Sequence, residues 1–156
     1  MGAKPGAGVR RKDILIGKFP GLAQSRFQIT SPPNHHYNCI AWAAEDPEHC
    51  WLPDAYSDPM FVWPGEALRE DTTRGWVSVF VALGYEPCDD GSLEPDFQKV
   101  AIYATDLGPQ HVARQLPSGL WTSKLGSIED VEHDLEGLAG DRYGSADVFL
   151  RRPTAS

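Results

Sequence analysis

The stretch HVARQLPSGLWTSKLG, residues 111–126, is the strongest constraint in the chain. Two short runs with apolar and polar residues interleaved flank Pro117, Ser118 and Gly119, which reads as an antiparallel hairpin with a three-residue loop. Such a loop pairs Leu116 with Leu120, and counting back sets Ala113 beside Ser123. Side chains alternate along a strand, so His111, Ala113, Ser123 and Leu125 then share one face of a sheet. FQKVAIYAT, residues 97–105, has the β-branched and aromatic content of another strand, and ADVFLRRP closes with one that Pro153 ends.

The first half reads differently. Asn38 is a good N-cap, Cys39 would be the first helical residue, and Pro47 forbids continuation, so a helix is expected over 39–45. Around residues 71–87, Trp76, Val79, Phe80 and Leu83 fall on one helical face and Gly84 stops the helix. SIEDVEHDLEGL opens with Ser127, carries Asp130 three positions on, and is expected as a capped helix. DILIGKFPG and RFQIT, within 13–31, read as short extended or turn-bound runs. Residues 50–65, with three prolines and two tryptophans, read as an irregular loop. Helices and loops first, then a small antiparallel sheet with one inserted helix, make an α+β fold. A single domain over 13–153 is expected, after a disordered basic tail at 1–12.

Charge narrows the partners. Lys4, Arg10, Arg11 and Lys12 stand in the first twelve residues, so the other ten Lys and Arg face all 22 Asp and Glu. The body is therefore more acidic than the net charge of −8 suggests, and it should repel nucleic acid and anionic membrane. No apolar run approaches the ~20 residues that span a bilayer, and the N-terminus lacks the apolar core of a signal peptide. Three cysteines without regular spacing argue against a disulfide framework. A cytoplasmic protein is expected.

Cys39 is the candidate nucleophile. A thiol in the first turn of a helix meets the positive end of the helix dipole and unpaired backbone N–H groups, both of which favour thiolate. The same N–H groups can hold an oxyanion once the sulfur attacks a carbonyl. The base must take the thiol proton and return it to a leaving group, and His111, at the entrance of a strand, is the candidate. Ser123, on the same face, would fix the imidazole tautomer, with Asp130, Glu132 and His133 as alternatives. Asn34, Asn38, His36 and Trp42 would edge the cleft, and Asn34 or Asn38 would help the Cys39 amide hold the oxyanion. The competing chemistry is zinc at His35, His36, Cys39, His49 and Cys50, whose spacing does not match the tight ligand pairs of structural zinc sites. No metal or other cofactor is expected.

A helix-start cysteine before a strand-start histidine is similar to the papain-like cysteine peptidases and amidases, including the NlpC/P60 and CHAP groups, and YNCIAWA looks like their helix starts. The blocks YNCIAWAAED, LGYEPCDDGSLEP, KVAIYA, HVARQLPSGLWTSKLG, DVEHDLEGL and FLRRP resemble a family of uncharacterised bacterial proteins over about residues 34–153. The resemblance implies Cys39 and His111 as matched positions and a helix bearing the cysteine packed on an antiparallel sheet bearing the histidine. Two features depart from papain. Pro33 stands where the oxyanion-hole glutamine would lie, and no Asn follows His111 to orient it. The expected function is a cysteine-dependent hydrolase acting on a neutral or basic peptide or protein amide, with deamidation and acyl transfer open to the same residues. The alternative is a binding module without catalysis on the same fold.

Overall fold

The computed structural model describes residues 7–53 and 61–154. An antiparallel seven-stranded sheet in the order β1-β8-β7-β6-β5-β9-β4 organises the molecule. Its strands are β1 (Phe27–Ile29), β4 (Glu86–Cys88), β5 (Phe97–Thr105), β6 (Gly108–Gln115), β7 (Trp121–Lys124), β8 (Asp130–His133) and β9 (Ser145–Pro153). A parallel pair, β2 (Cys50–Trp51) and β3 (Phe61–Val62), stands apart. The helices are α1 (Ala7–Lys18), α2 (Cys39–Ala43) and α3 (Thr73–Ala82). The fold is α+β.

Strand alternation splits the core in two. Val100, Ile102, Val112 and Leu150 pack with Ile40, Ala41, Val79 and Phe80 on the α2 and α3 side. Ala101, Tyr103, Ala113, Trp121 and Val131 pack with Leu15, Phe19, Leu22 and Leu138 on the α1 side. Each strand is apolar towards both layers, which is how a central antiparallel sheet becomes buried twice. The hairpin has the register its loop length demands. Leu116 N–H donates to Leu120 O at 2.7 Å, Arg114 pairs with Thr122, and Gly119 takes a φ of +92° that favours glycine.

α2 starts at Cys39 with Asn38 as its cap, Asn38 Oδ1 accepting from Ala41 N–H at 3.1 Å. It ends at Ala43, and Glu45 takes a φ of +68° ahead of Pro47. α3 runs from the Thr72 cap to Leu83, and Gly84 follows at φ +94°.

Three expectations fail. SIEDVEHDLEGL is not one helix: β8 takes 130–133, and a 3-10 turn, Leu135–Leu138, follows. Pairing with both β7 and β1 outweighs the local cap signal, because a strand here buries Val131 and His133 on one side and Asp130 on the other. Residues 13–31 hold more helix than expected. α1 continues to Lys18, a 3-10 turn spans Pro20–Gln24, and only Phe27–Ile29 is extended. Leu15 and Phe19, four apart, lie on one helical face and are both buried on the sheet. Residues 7–12, expected as the end of the basic tail, open α1, while residues 1–6 lie outside the described residues. Much of the loop expected at 50–65 lies outside them too, and its ends pair as β2 and β3. Among the described residues no helix is long and apolar enough to cross a membrane.

Candidate functional site

On the α1 face three polar side chains form a buried chain. His111 on β6 and Ser123 on β7 meet at 2.8 Å, Nε2 to Oγ, and Ser123 Oγ meets His133 Nε2 on β8 at 2.7 Å. All three side chains are fully buried. Burial holds His111 well below the ordinary imidazole range, with His133 adding to the effect, and lowers His133 to about 4. Both rings are therefore neutral at pH 7.

Neutrality fixes the protons. His133 Nδ1 faces the carbonyl of Asp134 at 2.8 Å, and a carbonyl only accepts, so Nδ1 carries the hydrogen. His133 Nε2 is then a bare lone pair and takes the single Ser123 O–H. Ser123 Oγ, its hydrogen committed, must accept from His111 Nε2–H. That leaves His111 Nδ1 as an unprotonated lone pair, and Nδ1 is buried without a hydrogen-bond partner. The serine and the second histidine thus present a base at a defined atom. Tyr143 lies flat on the imidazole, centroids 4.3 Å apart and planes 3° from parallel, and Tyr103 closes another side at 5.4 Å. Gly144 lets Tyr143 reach this position. It takes a φ of +76°, and a Cβ there would stand 1.9 Å from Ala104 O.

Cys39 comes from the other layer. It packs against the α2-side core, half-buried, and lines a cleft of about 400 Å³ with Asn38, Leu52, Arg69, Asp71 and Trp76. Its thiol is not acidified. Burial pushes it up to about 11, outweighing backbone N–H groups of Val112, Ile40 and Cys39 itself that favour the thiolate. A five-residue helix has only a small dipole to offer against desolvation, which is why the lowered pKa expected from a helix start is reversed. No hydrogen bond joins Cys39 to His111, and the link between them runs through Val112 and Tyr143. The sulfur interacts with the amide of Val112, the residue after His111, and a thiolate there would raise the Tyr143 phenol, which stacks on His111. β6 and β7 pair only at Arg114 with Thr122 and Gln115 with Trp121, so the ladder is already open at the level of His111.

The other expected residues are placed elsewhere or already engaged. Asn38 spends its side chain on Ala41 N–H and on Trp51, donating to its carbonyl at 2.9 Å and accepting its N–H at 3.1 Å, so it is a clamp rather than an oxyanion donor. Asn34 closes its own turn by accepting His36 N–H at 2.7 Å, and exposed His36 packs on His35. Trp42 donates to Thr122 Oγ1 at 2.9 Å and stacks near Tyr37, so it wedges α2 onto the sheet and lines no part of the Cys39 cleft. Asp130, an alternative third residue, belongs to the α2 face, where it accepts from Tyr37 O–H at 2.6 Å. Glu132 alternates with His133 and points away from the chain of three. His49 is bonded to Asp46 at 2.9 Å and Cys50 points at the carbonyls of His35 and His36. Among the described residues no three His, Cys, Asp or Glu side chains converge as metal ligands. All three cysteines are free.

Sequence reasoning did not single out Tyr143 or Tyr103. The signal for Tyr143 was the Tyr-Gly pair itself, an aromatic delivered by a residue able to take positive φ.

A family described only as a domain of unknown function, DUF7689, matches residues 28–151. No curated protein and no solved structure matched the chain.

Proposed function

Starting from the fact that the chain belongs to this family of unknown function, we propose that it is a papain-like cysteine hydrolase of amide bonds, with Cys39 as nucleophile and His111 Nδ1 as base. The observation that carries the proposal is the unpartnered lone pair on His111 Nδ1, set by the Ser123–His133–Asp134 chain, one residue before the Val112 amide that faces the Cys39 sulfur. The resting pair is neutral thiol and neutral imidazole, since burial raises one pKa and lowers the other.

Chemistry begins when the Cys39 thiol proton passes to Nδ1 as Sγ bonds the amide carbon. The carbonyl oxygen becomes an oxyanion held by the Cys39 and Ile40 amides, the first-turn N–H groups that Asn38 leaves free. The C–N bond then breaks, Nδ1–H gives its proton to the leaving amine, and a thioester remains. Water loses a proton to Nδ1 and attacks that thioester, an acid departs, and the thiol is restored. The acidic body favours a neutral or basic peptide or protein substrate, and three free thiols suit a reducing cytoplasm.

A second reading, a binding module without catalysis, draws support from the raised thiol pKa and the complete burial of His111. Labelling with a peptidyl epoxysuccinate separates the two, because ring opening consumes a proton that the histidine must supply. Peptide mass spectrometry should find the adduct on Cys39 ahead of Cys50 and Cys88, with the rate falling about a hundredfold or more in His111→Ala. Equal labelling of the three thiols, or a rate indifferent to His111, favours the binding module.

A further inference from the structure

The cleft that holds Cys39 also holds a carboxylate with no part in the steps above. Asp71 lines it together with Arg69, Trp76, Ile40, Leu52 and Pro53. Asp71 stands just before the Thr72 cap of α3, and its Oδ1 accepts from Trp76 Nε1–H at 2.9 Å. Trp76 is only 7% exposed, so a buried indole holds the carboxylate in place. Among the described residues nothing else bonds to the Asp71 side chain.

The basic residues close to it in sequence point their hydrogen bonds elsewhere. Arg74, in the first turn of α3, pairs with Glu70 at 3.1 Å, and Arg69 donates to the Pro53 carbonyl at 3.0 Å. Among the described residues Asp71 takes part in no ion pair. Its charge is nevertheless felt at Cys39, where it adds to the rise that burial causes in the thiol. A lone negative charge there opposes the thiolate character that develops as the proton leaves, and a cation seated against Asp71 removes that opposition.

The rest of the cleft suits such a cation. Ile40, Leu52 and Pro53 give apolar surface for a methylene stem, and the carboxylate gives its charged head a partner. Because Sγ bonds the acyl carbon, the side chain nearest the sulfur is that of the acyl residue.

We propose that this cleft takes a lysine or arginine side chain, its stem along Leu52 and Pro53 and its charge on Asp71, so that the residue whose carbonyl Cys39 attacks is basic. Which residue is attacked rests on the hydrolase reading; the cation site does not.

Two pairs of probes test these parts separately. Nα-acetyl-lysine methylamide carries one cation and no group that a thiol attacks. Titrated into the full chain and followed by NMR, it should shift the Trp76 indole N–H and the Asp71 amide saturably, about fivefold more tightly than its norleucine analogue. In Asp71→Asn, whose side-chain oxygen can still accept from the indole, that preference should vanish. Equal binding of the lysine and norleucine probes by the wild-type chain would overturn the proposal without reference to any variant, as would shifts that map away from the cleft.

The second pair is the lysyl and norleucyl acyloxymethyl ketones, from which the Cys39 sulfur displaces a carboxylate as it bonds the methylene carbon. The ratio of their alkylation rates, read by peptide mass spectrometry, should favour lysine about fivefold in wild type and fall to about one in Asp71→Asn. Any general change in thiol reactivity cancels in that ratio. A lysine preference in binding but none in alkylation would overturn the placement on the acyl residue. A lysine preference in both, with rates indifferent to His111→Ala, would uphold the basic subsite and remove the hydrolase reading.

Discussion

On the α2 face of the sheet, Lys124, Asp130 and Tyr37 bury a cluster whose stability depends on charge; on the α1 face, His111, Ser123 and His133 bury one that carries none. Lys124 is fully buried and its Nζ stands 4.0 Å from Asp130 Oδ1 and 4.9 Å from the Tyr37 ring centroid. Burial lowers the lysine, raises the aspartate and lifts the Tyr37 phenol to about 12, so the phenol keeps its proton and donates it to Asp130. The ionic cluster is held by mutual compensation, and each member is costly without the other. The neutral chain is held by direction: every hydrogen has one possible place, and one lone pair is left over. Compensation makes structure, whereas a surplus lone pair makes chemistry available.

The most damaging way to probe that contrast is Lys124→Ala. It strands a buried carboxylate, and at pH 7 urea denaturation should show a loss of about 3–5 kcal/mol. The double variant Lys124→Met with Asp130→Asn should recover most of it, since neither charge is then buried alone. No recovery in the double variant would mean that packing, not charge, holds this face.

The neutral face should respond to acid instead. His133 has its folded pKa lowered to about 4, so between about pH 6.5 and 4 the unfolded chain binds a proton that the folded chain refuses. The stabilisation is fully present above the unfolded value and is lost as pH falls through that window, by about 3 kcal/mol for this one group. His111 is shifted in the same direction and adds to the slope. Denaturation midpoints measured across the window should therefore fall steeply with acid in wild type and less steeply in His133→Gln. Parallel slopes would place the proton uptake elsewhere.

These two faces were unequally legible in the sequence. The hairpin loop fixed the register, and the register alone put Ser123 on the face of His111. Asn38 and Pro47 likewise bounded α2. What could not be read was anything decided by distant pairing. His133 looked like part of a capped helix until β7 and β1 claimed it from both sides, and α1 looked extended because Leu15 and Phe19 find their partners only on the finished sheet. Helix-start chemistry predicted an acidic thiol at Cys39, but desolvation is a property of the assembled layers and it won. Asn38 was recognised as a cap. Its second duty, clamping Trp51, used up the amide group that an oxyanion would need.

Ser123→Ala has the smallest expected effect on stability and the most to say about function. It removes one hydroxyl from between two imidazole nitrogens, leaving Nε2 of each ring buried without its partner, at a cost of about 1–3 kcal/mol. Its particular consequence is for protons. In wild type, imidazole ¹⁵N shifts should report hydrogen on Nε2 of His111 and on Nδ1 of His133. With the serine gone, nothing holds His111 to that tautomer, and hydrogen should appear on its Nδ1 in part of the population, taking the base away from Cys39 for that fraction. Epoxysuccinate labelling of Cys39 should slow accordingly, whereas in the Lys124→Met, Asp130→Asn double variant it should keep its wild-type rate. Stability and labelling would then separate by face: the ionic cluster moves the first and spares the second, and the hydroxyl moves the second more than the first. Hydrogen already on His111 Nδ1 in wild type would remove that distinction, because the chain of three would then be a satisfied core network like the one opposite.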